Sequence, residues 1–102
     1  MREDFIRDRI TQLRLQKGVS EYQMSYDLGH SRGYIYNISS GKALPPLKEF
    51  LAICEYFGIT PQEFFDESAS DPIHLHKAIA GFKNLCLDDQ ALILSLIERM
   101  LE

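Results

Sequence analysis

Between Ser31 and Lys42 the chain reads S-R-G-Y-I-Y-N-I-S-S-G-K, a helix-length stretch with little that suits burial. Ile35 and Ile38 are its core-like residues, and Gly33 sits where helix propensity disfavours it. With the two isoleucines turned inward, Arg32, Gly33, Tyr36 and Asn37 fall on the outer face. These residue types have a definite chemistry. An Arg guanidinium donates two hydrogen bonds to guanine, and an Asn amide pairs with adenine. Gly33 lets a backbone come close to another surface, and a helix N-terminus favours a phosphate. On helix pattern alone, a solvated face carrying two tyrosines fits equally well.

The elements that must hold this stretch are helical throughout. Ile6, Ile10 and Leu13 recur at i, i+4 and i+7, which predicts an amphipathic helix over residues 3–17 with Lys17-Gly18 as its stop. Ser20 is a good N-cap for a short helix that carries Met24 and Leu28 inward and stops at Gly29. Ser31 is read as the next cap, opening a helix that ends before Gly41. Two short helices joined by a tight turn at Gly29-His30 have the layout of a helix-turn-helix, whose second helix presents its N-terminal residues to the major groove.

Pro45-Pro46 punctuates the following loop, with Pro46 expected in the first turn of the next helix. That helix carries Leu47, Phe50, Leu51, Ile53, Cys54 and Phe57 as a wide buried face and ends at Gly58. Thr60-Pro61-Gln62-Glu63 combines an N-cap, a first-turn Pro and a capping-box Glu, and starts a short helix with Phe64 and Phe65. Asp66 to Pro72 reads as a linker or turn. A helix with Ile73, Ile79, Phe82 and Leu85 follows, and Asp88 looks like the cap of a last one. No period-2 alternation, internal repeat or low-complexity segment interrupts this pattern. The expected fold class is all-α.

Bulk properties narrow the function. At 102 residues the chain is one domain with room for a small appendage. No run approaches the ~20 apolar residues of a membrane span, and M-R-E-D-F-I-R-D-R-I lacks the apolar core of a signal peptide. The expected location is cytoplasmic. The net charge of −4 argues against indiscriminate nucleic-acid binding. Residues 1–65 balance acids with bases, and the whole negative excess lies in residues 66–102, which fits two segments with different tasks.

Across residues 6–65 the chain resembles the lambda-repressor-like (XRE) helix-turn-helix family. The matching residues include Ile10, Leu13 and Arg14, then Gly18-Val19-Ser20, Met24, Leu28-Gly29, Ser31 and Ile35. Ile38, Gly41-Lys42, Pro45, Leu47, Ile53, Phe57-Gly58-Ile59-Thr60 and Phe64-Phe65 continue the register. The resemblance implies a five-helix DNA-binding bundle, here with a C-terminal two-helix extension, and operator binding as a homodimer, most often to repress transcription. It places base-reading positions on Arg32, Gly33, Tyr36 and Asn37, and phosphate-contacting positions on Ser20, Tyr34, Ser40 and Lys42.

Two positions depart from the family pattern. Glu21 stands where a Gln usually opens the second helix; a carboxylate there cannot donate to a phosphate, although it can accept from a cytosine amino group. Ser39 stands where a Glu usually pairs with the first-helix Arg, so Arg14 is expected to be free to turn towards another acid or DNA. Glu21 and Arg14 are therefore further candidate DNA contacts.

The remaining groups give weaker signals. His74 and His76, two apart on a helix, point about 200° apart and cannot share a metal. His30 is read as a plain turn residue that could meet a phosphate when protonated. Cys54 and Cys86 are expected as buried thiols. Nothing groups a nucleophile with a base and an orienting acid, so neither catalysis nor a cofactor or small-molecule substrate is expected.

The tail carries apolar residues that a single domain does not need. Homodimerisation is expected through residues 73–102, centred on Leu92, Ile93, Leu96, Ile97, Met100 and Leu101, with fold-back onto the domain as the alternative. The expected organisation is a DNA-binding domain over 1–65, a linker over 66–72 and the extension over 73–102. The partner expected first is double-stranded DNA. The rival reading is a protein-interaction module on the same scaffold, an antitoxin or antirepressor, favoured by Glu21 and by the neutral first 65 residues.

Overall fold

A computed structural model describes residues 2–102. Among the described residues there are seven helices and no strand. They are α1 (Glu3–Lys17), α2 (Glu21–Asp27), α3 (Tyr34–Ser39), α4 (Leu47–Phe57), α5 (Pro61–Phe64), α6 (Pro72–Lys83) and α7 (Leu87–Met100).

Local chemistry accounts for most boundaries. Glu3 and Asp4 sit in the first turn of α1 and Arg14 and Lys17 in its last, complementing the helix dipole. Gly18 then takes a left-handed φ of 76° and its amide bonds to the Arg14 carbonyl at 3.0 Å, a stop that a side chain would strain. Ser20 caps α2 by accepting from the Gln23 amide at 2.9 Å. Thr60 and Glu63 form a reciprocal capping box on α5.

One core joins the first five helices. Ile10 and Leu13 of α1, Met24 of α2, Ile35 and Ile38 of α3 meet Phe50, Ile53, Cys54 and Phe57 of α4 and Phe64 of α5. Phe64 stands edge-on to Phe50, their ring centres 4.9 Å apart. The helix pairing most relevant to the site, α2 against α3, is closed on the other side by α1.

A buried cation holds the segment after α5. Arg9, only 4% exposed, donates from Nε to the Phe64 carbonyl at 3.0 Å, and from its two terminal nitrogens to Ala69 at 2.9 Å and Asp66 at 2.6 Å. Burial lowers its pKa, and the Asp66 and Glu67 carboxylates oppose that shift. Residues 66–72 are thus strapped to α1, with Ala69 and Pro72 buried. The Arg9 guanidinium converts a polar stretch into a fixed joint.

Several expectations change. Leu47 and Leu51 are 74% and 49% exposed, because Phe50, Ile53, Cys54 and Phe57 already fill the inward stripe of α4. Pro46 stands at the N-cap, one residue ahead of the first turn. Cys54 is buried, and its thiol is pushed up to about 11 by that burial. Cys86 is exposed, because it is the N-cap of α7, displacing Asp88 into the first turn.

The two tail helices behave differently. α6 docks on α5: Ile73 packs against the core, and His76 Nδ1 lies 2.8 Å from both Glu63 carboxylate oxygens. α7 has no buried residue, so fold-back does not cover it.

Candidate nucleic-acid interface

The helix-turn-helix is built on a buried serine that the sequence reading passed over. Ser25 of α2 donates to the Glu21 carbonyl at 2.8 Å and accepts from the Ile35 amide at 3.1 Å. It thereby satisfies one of the amides that the start of α3 leaves without a helical partner. Gly29, at φ 76°, turns the chain between the two helices.

α3 is shorter than expected. Ser31 does not cap it through its side chain; instead the Tyr34 amide bonds to the Ser31 carbonyl at 3.0 Å, and Gly33 occupies the N-cap. The helix begins at Tyr34, and Arg32 and Gly33 belong to the turn that leads into it. Glycine is an accepted N-cap residue, and here it marks the boundary without a side-chain cap.

Within α3 the exposed and buried sides are as the periodicity implies. Arg32, Tyr36, Asn37, Ser40 and Lys42 are exposed, while Ile35 and Ile38 are buried. Arg32 and Lys42 have no ion-pair partner among the described residues, and the Lys42 ammonium lies 5.5 Å from the Tyr36 ring centre. Gly33 has an ordinary φ of −92°, and nothing lies within 4 Å of the place a Cβ would occupy. Neither conformation nor packing within the chain requires a glycine there. Ser20 is exposed, and its hydroxyl, which accepts in the α2 cap, keeps its own hydrogen to donate.

Three candidates are engaged within the protein. Tyr34 donates its hydroxyl hydrogen to Glu49 of α4, and its ring stacks on His30 at 3.8 Å. Burial raises its pKa, and Glu49 raises it further. A phosphate contact by Tyr34 requires that hydrogen to leave Glu49. Arg14 turns neither to an acid nor outward, but donates to the Val19 carbonyl at 2.9 Å and braces the loop before α2. Glu21 accepts from the Ser39 hydroxyl at 2.5 Å, so the two departures from the family pattern meet each other.

Further braces were not legible. Glu49 also lies 3.4 Å from His30 Nε2, tying the turn between α2 and α3 to α4. Arg7 reaches the Gly41 carbonyl at 3.4 Å, under the C-terminal end of α3. Each joins residues far apart in sequence, and the one signal available was an isolated charge beside an apolar stripe.

The family comparison agrees with this layout. The sequence model of a helix-turn-helix domain matches residues 8–68, more than half of the chain. The chain belongs to that helix-turn-helix domain family, which suggests a DNA-binding regulator. No curated protein and no solved structure matches the chain. No helix is long and apolar enough to cross a membrane among the described residues.

Proposed function

We propose that the protein is a sequence-specific transcriptional regulator of the lambda-repressor-like kind, acting as a repressor on an operator of two half-sites. In this reading α1–α5 form the five-helix DNA-binding unit, α3 enters the major groove, and α6–α7 are an extension through which two copies dimerise. Arg32 and Asn37 read base edges beside Tyr36, Gly33 admits close approach, and Ser20, Ser40 and Lys42 hold phosphates. Base contacts carry the specificity, and phosphate contacts carry register and affinity.

The observation that carries the reading is the set Arg32, Gly33, Tyr36 and Asn37. Two exposed polar residues able to pair with bases, Arg32 in the turn and Asn37 in α3, lie on either side of an uncrowded glycine at the N-cap.

A gel shift on the DNA upstream of its own gene tests the proposal. Specific retention that weakens with salt is expected. No retention at any salt concentration would favour the rival reading, a protein-interaction module. That rival draws on Glu21, a carboxylate at the start of α2 where phosphate binding calls for a donor.

A further inference from the structure

The outer face of α7 is apolar, and none of the described residues buries it. Ile93, Leu96 and Met100 line one side at spacings of three and four residues, flanked by Leu92 and Ile97, and all are exposed. A membrane surface is a poor occupant: interfacial helices are rich in Lys and Arg, whereas α7 carries Asp88 and Asp89 in its first turn and Arg99 as its one basic residue.

The charges indicate both the occupant and its direction. We propose that α7 pairs with α7 of a second copy in antiparallel orientation, Arg99 of each copy lying beside the Asp88-Asp89 pair of the other. This deepens the homodimer reading and rests on it. With the two-fold axis crossing near Leu94, Leu92 of one copy faces the level of the partner's Leu96, and Asp89 that of the partner's Arg99. Helical rotation puts Asp88, Leu92 and Arg99 on one flank, because steps of four and seven residues return nearly to the same angle. Glu98 lies two residues past Leu96 and so points away from the seam.

A parallel pair has the opposite balance. It sets Asp88 and Asp89 against their own copies, and the two helix dipoles side by side in the same sense. The antiparallel pair opposes the dipoles and makes two identical acid–base contacts, as a two-fold interface requires. It also separates the two Leu87 positions by about 20 Å along the helices. The DNA-binding units then hang at opposite ends of the pair, suited to half-sites about 34 Å apart.

Sedimentation of the full chain, read as the dimer dissociation constant, tests the proposal. Because α7 adds nothing to the core, substitutions on it leave the domain folded. Arg99→Glu alone, or Asp88→Lys with Asp89→Lys, should each weaken the dimer about tenfold. All three changes together in one chain should restore affinity to within about threefold of the parent.

Cys86 gives an independent reading. An antiparallel pair holds the two Cys86 residues about 24 Å apart, so mild oxidation should give no disulfide-linked dimer. A dimer that the triple change does not restore, or one that cross-links through Cys86, overturns the antiparallel pairing while leaving dimerisation intact. A chain that stays monomeric at all concentrations overturns the homodimer reading itself.

Discussion

The Ser39 hydroxyl of α3 donates to the Glu21 carboxylate of α2 at 2.5 Å. Both residues depart from the pattern of the family that the chain resembles, and the departures complement each other. The missing acid of α3 is replaced by a donor, and the acid that appeared on α2 is its acceptor. Held this way, Glu21 is drawn towards α3, and in the proposed DNA complex its charge would oppose a phosphate at the start of α2. The family-usual partnership of Arg14 with an acid is absent, and Arg14 braces the Val19 carbonyl instead.

Glu21→Gln should therefore tighten DNA binding. Removing the charge ends the repulsion and supplies a donor, a gain of about 1 kcal/mol or roughly fivefold per half-site. Fluorescence anisotropy on a labelled duplex measures it. A change in the preferred base at one position, in place of uniform tightening, would instead assign Glu21 to a cytosine.

Arg32→Ala and Lys42→Ala should separate reading from holding. The first should cost about 1–3 kcal/mol on the correct operator and less on random DNA. The second should weaken all sequences alike and reduce the salt slope by about one unit. Paired titrations at several salt concentrations distinguish them, and equal losses on every sequence for Arg32→Ala would contradict its base-reading role.

How far these roles were legible depends on the range of the interaction that fixes them. Gly18, Gly58, Ser20 and the Thr60–Glu63 box act within a few residues, and the helix ends they set were readable from sequence. Ile35 and Ile38 were likewise readable, because period alone fixes which side of α3 faces the core. The start of α3 was misplaced, since Ser31 is a plausible cap whose side chain goes unused. Arg9, Ser25, Glu49 and Arg7 were missed for a different reason: their partners lie ten to sixty positions away. Leu47 and Leu51 mislead because an apolar side chain does not show in sequence whether its face has a neighbour.

Arg9→Met should destabilise the domain by about 3 kcal/mol, since three carbonyls around it lose a charged donor in a buried setting. Urea unfolding followed by circular dichroism measures this. A loss under about 1 kcal/mol would mean that the strap over residues 66–72 is dispensable.

Stability should fall in acid. Burial alone would raise the Glu63 carboxyl, but bonds from Thr60 and His76 bring it below its ordinary value. The His74 amide and ring likewise hold Asp71 low. A carboxyl with a depressed folded pKa stabilises above its unfolded value and loses that contribution as pH falls through the folded one. Thermal midpoints should thus be level near neutrality and drop below about pH 4, less steeply in Glu63→Gln. At the alkaline end the sign reverses. Burial, helped by Asp27, pushes the Tyr56 hydroxyl up to about 12, so its contribution is intact below about pH 10 and is lost as pH rises from there through about 12.

The most direct test of the central claim is selection of bound duplexes from a random pool by the full chain. The account predicts an inverted repeat whose half-site centres lie about 10 base pairs apart, with one position's preference lost in Arg32→Ala. A pool that stays random after repeated rounds, although the protein is folded and dimeric, would contradict it.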